Sequence, residues 1–150
     1  MKLDIHNPGV TGILAEPLTQ AELDFLNATV LGPPGVNNPD RMHDEDFTTR
    51  AQISGTGNYT FVLDLGSIDT RPLKAVIAQF RSPLSGQNWW YLETSDDNSS
   101  WTTRDSWTGV SYGGTQLLDA GTLSFRYCRC RSVISFATWN MQAYMGTTNS

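Results

Sequence analysis

From Ile53 onward, apolar side chains recur at every second residue, and the alternation is interrupted at short intervals by Gly, Pro, Asn and Asp. A period of two sends alternate side chains to opposite faces of a strand, whereas a helix needs a period of 3.6. In Tyr59-Thr60-Phe61-Val62-Leu63-Asp64-Leu65-Gly66, the residues Tyr59, Phe61, Leu63 and Leu65 share one face. Comparable runs cover Leu73 to Phe80, Asn88 to Ser95, Thr122 to Val133 and Thr138 to Met145. At least five short strands without helices between them exclude a doubly wound parallel sheet. They predict an antiparallel sandwich or barrel. At 150 residues the chain is long enough for one domain with a substantial core.

Residues 1–40 read differently. Thr19 with Glu22 three residues on forms a capping box, followed by Ala21, Leu23, Phe25 and Leu26. This predicts a helix of about two turns, ending before the breaker cluster Gly32-Pro33-Pro34-Gly35. The segment is read as an extended arm with a short helix, able to dock on a partner or a neighbouring subunit. Residues 41–150 are read as the sandwich.

Charge narrows the function classes. Ten basic and fifteen acidic residues give a net charge of −5. That disfavours general nucleic-acid binding, which needs a basic face. No apolar run is long enough to cross a bilayer. Met1 to Pro8 has no apolar leader core, so the chain is read as made in the cytoplasm without a signal peptide. Cys128 and Cys130 are two apart and point to the same face of a strand, a poor geometry for a disulfide. A metal or redox pair would need further ligands, so they are read as buried small hydrophobes.

Three blocks in order carry a resemblance. They are Asp44-Glu45-Asp46-Phe47-Thr48-Thr49 with Tyr59 to Ser67, then Trp90 to Trp101, then Phe125-Arg126-Tyr127-Cys128-Arg129-Cys130 with Trp139 to Gly146. Residues 40 to 146 resemble the discoidin, or coagulation-factor C-type, domain of the galactose-binding-like superfamily. The resemblance implies an all-β antiparallel jelly-roll β-sandwich of about eight strands. It implies that Gly66 turns the chain after Asp64-Leu65, that Asp96-Asp97-Asn98 is a hairpin loop, and that Trp101 packs across the sandwich. It makes Arg126 and Arg129 structural. It would also make Asp44 and Asp46 calcium ligands, with Thr49 nearby. Here Glu45 stands where the family has glycine, Ala51 where a Trp is usual, and Met141 or Gln142 where its late acidic ligand falls. Calcium wants six to eight oxygens, so an acidic surface turn without a cofactor is the preferred reading.

The resemblance implies binding through loops rather than catalysis. The histidines are His6 and His43 only, and no zinc-protease or phosphate-loop motif occurs. A sugar site pairs an aromatic face with polar hydrogen-bonding groups. The candidates are Trp89, Trp107 and Tyr112 for the rings, with Arg41, His43, Asn88 and Arg104 as polar partners. Trp107 and Tyr112 are placed in a Gly-rich loop, Trp90 in the core and Trp89 outside. Leu84, in the loop Arg81 to Gln87, is a further contact candidate. The expected function is a non-catalytic binding or structural module on a virion surface: a decoration, spike or fibre component. It would recognise carbohydrate or a cell-surface receptor, meet other assembly proteins through residues 1–40, and form a homo-oligomer. The alternative is a stand-alone lectin-like module, and a glycan-active enzyme ranks third.

Overall fold

The structure, a computed structural model, describes residues 17–55, 58–81, 88–110, 114–134 and 139–147. Two strands are much longer than any run read from the sequence: β3 (Thr60–Arg81, 22 residues) and β6 (Gly114–Ile134, 21 residues). The remaining strands are β1 (Thr29–Gly32), β2 (Ala51–Gly55), β4 (Asn88–Ser95), β5 (Thr102–Val110) and β7 (Trp139–Gly146). Among the described residues these seven strands pair antiparallel, in the order β2-β7-β3-β6-β4-β5, with β1 also on β3.

The register shows how one hydrogen-bonded path makes two layers. Residues Thr60 to Asp64 of β3 pair with β1 and with Tyr127 to Arg131 of β6. Residues Asp69 to Gln79 pair with Gly114 to Phe125 of β6, while Lys74 to Arg81 also pair with β7. Each long strand therefore runs through one layer, turns a corner and continues in the other. One layer is β1, the first part of β3, the last part of β6, β4 and β5. The other is β2, β7 and the remainder of β3 and β6.

At the corner, the register jumps from Asp64↔Tyr127 to Asp69↔Phe125, so a four-residue bulge faces Arg126 alone. Bulges of this kind bend a strand sharply. Gly66 sits in the bulge at φ 92°, a conformation that glycine adopts at low cost. Asp64 accepts a bond from the Gly66 N–H at 2.8 Å and a bidentate pair from Arg126 at 2.9 and 3.0 Å. The Arg126 hydrogen bond is the main cause holding the Asp64 carboxyl below its usual range. Arg126 also lies over the Tyr127 ring at 4.9 Å.

Arg71 closes the corner from inside and is about 1% exposed. It donates to the carbonyl of Ser67 in the bulge, to that of Phe125 on β6, and to Asp24 at 3.0 and 3.2 Å. Asp24 belongs to α1 (Gln20–Leu26), which has the expected capping box: Thr19 Oγ1 accepts from Glu22 N at 3.1 Å, and Glu22 Oε1 accepts from Thr19 N at 3.4 Å. Phe25 of α1 is fully buried in the core, and β1 is a strand of the sandwich. The described part of residues 1–40 is thus packed on the sandwich itself; residues 1–16 lie outside the described residues.

The alternation holds where it was read. Phe61, Leu63, Leu73, Ala75, Ile77, Trp90, Leu92, Cys128, Cys130, Met141 and Ala143 all face the core. Phe61 and Trp90 stack with centroids 6.3 Å apart. Cys128 and Cys130 are buried free thiols, and burial pushes both up from the ordinary thiol range. Two expectations are corrected. Trp101 does not cross the sandwich: it lies outside, 4.1 Å beneath the Arg129 guanidinium. Trp107 is in β5, not in a loop.

At the C-terminal end of β7, the Tyr144 hydroxyl and Glu45 Oε1 crowd Gly146. A Cβ at Gly146 would fall within contact distance of Tyr144 Oη and 2.8 Å from Glu45 Oε1. Since Tyr144 and Glu45 are both fully buried, neither can swing aside freely. Gly146→Ala is expected to destabilise the fold by about 1–3 kcal/mol, as overpacking does, measured by urea denaturation. An unchanged midpoint would show that the contact relaxes without cost.

Candidate functional site

The two ends of the sandwich carry different chemistry. At one end the register brings together Gly55, Arg81, Asn88, Val110, Gly114, Ile134 and Trp139. The corner, α1, the 44–49 turn and the β4–β5 turn lie towards the opposite end.

Asn88 and Trp89 begin β4 at the first end, where Asn88 pairs with Val110 and Ile134, and Trp89 with Val133. Trp90 is fully buried and Trp89 is half-buried, as alternation requires. Trp107 pairs with Trp90, so it shares the inward face. It packs on the core from the edge strand, with its ring 3.7 Å from where a Gly114 Cβ would be. Trp89 and Trp107 therefore lie on opposite faces of the same layer. Tyr112, residues 82–87 with Leu84, and His6 lie outside the described residues.

The other polar candidates are elsewhere. Arg41 is in a 3-10 turn, Pro39–Met42, that packs on β2 and β7, and His43 follows it. His43 Nδ1 is 2.8 Å from the Phe25 carbonyl, so this ring holds α1 in place. Arg104 is on β5 opposite the end of β4, and its Nε donates to Thr94 Oγ1 at 2.9 Å. Asn88 and Thr94 are separated by six residues of one strand, roughly 20 Å at the rise of β structure. The structure thus separates Arg104 from Asn88 and Trp89, and sets Arg41 and His43 at the other edge of the strand order.

Arg104 does lie in a concavity of about 260 Å³. It is lined by Thr94 and Ser95 at the end of β4, Asp96 and Asp97 in the following turn, Arg104, and Ser124 of β6. The expected hairpin loop is well built: Asn98 has φ 59°, and Asp97 Oδ1 accepts from Ser99 N, Ser100 N and Ser95 Oγ at 2.8–3.0 Å. The Ser100 and Ser99 N–H bonds, then the Ser95 bond, hold the Asp97 carboxyl below its usual range.

The acidic turn closes on itself. Asp44 accepts from Asp46 N at 3.0 Å and Thr49 Oγ1 at 2.5 Å, and Asp46 accepts from Thr48 N and Oγ1. Glu45 sits at φ 57°, so it takes the left-handed backbone position expected of the family's glycine. Its carboxylate turns inward and accepts from Thr147 N and Oγ1 at 2.9 and 2.7 Å. Met141 is in the core, and Gln142 Nε2 donates to Gln52. Among the described residues no three acidic, histidine or cysteine groups are placed to hold one metal ion.

One feature was missed in the sequence: the outward face of the β4–β6 layer. Glu93, 4% exposed, accepts from Arg129 at 2.8 Å, from Arg131 at 2.8 and 3.2 Å and from Thr103 at 2.8 Å. Arg131 lies 4.5 Å over Tyr91 as Arg129 does over Trp101. Burial pushes the Glu93 carboxyl up, but the Arg131, Thr103 and Arg129 hydrogen bonds outweigh it and bring it down to about 2. The aromatic faces under these guanidinium groups are already occupied, so this array is a structural clamp.

No protein-family model matches the chain, and no curated protein matches it. Solved structures do. The CBM32 of AlyQ, in complex with 4,5-unsaturated mannuronic acid, is 22% identical with a TM-score of 0.50, covering 82% of this chain and 94% of that one. Chitosan-binding module 1 from the chitosanase/glucanase of Paenibacillus sp. IK-5, as the V110M mutant, is 20% identical with a TM-score of 0.50, covering 81% and 96%. A GH29 fucosidase of Ruminococcus gnavus, in complex with fucose, is 15% identical with a TM-score of 0.50. There the match covers 73% of this chain but 22% of the enzyme. The chain has the galactose-binding-like, discoidin-type β-sandwich fold found in CBM32 and related modules.

Proposed function

We propose that this chain is a non-catalytic carbohydrate-binding module that meets glycan at the end of the sandwich where β4 begins. The observation that carries this reading is the register, which gathers the ends of several strands there together with Asn88 and the half-buried Trp89. A Trp ring offers an apolar face to the C–H side of a sugar. The fold supports the same reading, since similar structures include carbohydrate-binding modules, one solved with an unsaturated mannuronic acid.

A glycan array probed with the full chain tests it. Binding to a defined set of glycans is expected, and Trp89→Ala should weaken it by about tenfold or more, as loss of an aromatic anchor does. The melting temperature of the variant should stay close to that of the parent. A folded protein that binds no glycan, or binds equally well without Trp89, would overturn the assignment.

A further inference from the structure

We propose that the hollow beside Arg104 is a second site, for a single neutral pyranose residue, at the opposite end from Trp89. It goes beyond the first assignment and stands on different residues. The hollow lies between the layers: Thr94, Ser95 and Arg104 belong to one and Ser124 to the other. Its deep wall is polar and fixed. Thr94 and Ser95 are 2% and 5% exposed, and the Ser95 hydroxyl is held in the turn by Asp97 and Asn98. Ser124 Oγ is 2.7 Å from Thr70 Oγ1, which fixes the far wall.

The polar inventory selects the ligand class. Arg104 lines the hollow and is anchored to Thr94 through Nε, and its two terminal amino groups make no other hydrogen bond among the described residues, which leaves a fork of donors for a ligand. Asp97 is anchored through Oδ1 alone, and Asp96 lies beside it. An anionic ligand on Arg104 would meet two carboxylates, and a cationic one on the carboxylates would meet the guanidinium. A neutral polyol satisfies both, donating hydroxyl protons to the carboxylates and accepting from the guanidinium. A volume of about 260 Å³ is at the small end for ligand pockets. It fits one ring rather than a chain. No aromatic side chain lines it among the described residues, so recognition rests on hydrogen bonds and is weaker than at an aromatic site.

Titration of the isotope-labelled full chain with methyl hexopyranosides, followed by amide chemical shifts, tests the assignment. Saturable shifts are expected at residues 95 to 104 and at Ser124. Arg104→Ala should weaken them by at least about tenfold, with the rest of the spectrum unchanged. Arg104→Lys should weaken them too, because an ammonium lacks the fork. Trp89→Ala should leave this site intact, which separates its failure from that of the first. Absence of shifts with every hexoside, shifts that survive Arg104→Ala, or tighter binding of glucuronate or glucosamine than of the neutral sugars would overturn it.

Discussion

Replacing Arg71 with leucine is expected to cost about 3–5 kcal/mol of folding stability, the penalty typical of breaking a buried ion pair. For a chain of this size that corresponds to a fall in melting temperature of roughly 6–20 °C. The effect is large because one guanidinium serves three parts of the fold. It holds the Asp24 carboxylate of α1, the carbonyl of Ser67 in the bulge and the carbonyl of Phe125 on the facing strand. Leucine leaves the partly buried Asp24 carboxylate and two carbonyls without that donor. Arg71→Lys should recover only part of the loss, since a point charge cannot address all three at once. Thermal and urea unfolding of both variants would check this; a Leu variant within about 1 kcal/mol of the parent would mean that the corner holds without its clamp.

The second large effect concerns Glu93. Its carboxyl ionises at about 2 in the folded protein, against an ordinary value of 4.5. The depressed value means the folded state prefers the ionised form. The stabilisation is therefore complete above about pH 4.5 and is lost as pH falls from there towards 2. The 2.5-unit gap corresponds to about 3 kcal/mol. In Glu93→Gln that contribution is missing at neutral pH, where Arg129 and Arg131 face each other without a counter-charge. Between pH 5 and pH 3 the variant should lose less stability than the parent. Parallel stability curves over that range would contradict the role assigned to Glu93.

Much of the fold was legible because it rests on one-sided burial, which writes a period of two into the chain. Tyr59 to Leu65, Asn88 to Ser95 and the end of β6 each present an apolar face to the core. β5 was illegible for the same reason. It is an edge strand whose residues Thr102 to Ser106 are mostly exposed and polar, so no alternation marks it, and Gly109 with Gly113 and Gly114 beyond the strand reads as a loop. The unity of β3 was hidden by Gly66 and Pro72. Proline is tolerated there because Pro72 pairs with β6 on one side, while pairing with β7 begins only at Lys74.

The site was legible in part. Arg104 was named for its chemistry and does line a polar hollow, but spacing along the chain could not show that β4 separates it from Asn88. The clamp residues left a usable signal. Arg71 falls in phase with inward-facing Leu73, Ala75 and Ile77, so a buried charge was readable there. Arg129 and Arg131, two apart on one face, called for an acidic partner on the neighbouring strand.

The central claim is that this sandwich binds glycan and leaves it chemically intact. Titration calorimetry of the full chain against the glycans it retains on an array, with the ligand recovered and weighed by mass spectrometry, tests that claim most directly. Saturable heat and a ligand of unchanged mass are expected. Shortened or otherwise altered glycan, or no heat with any of them from a fully folded chain, would contradict it.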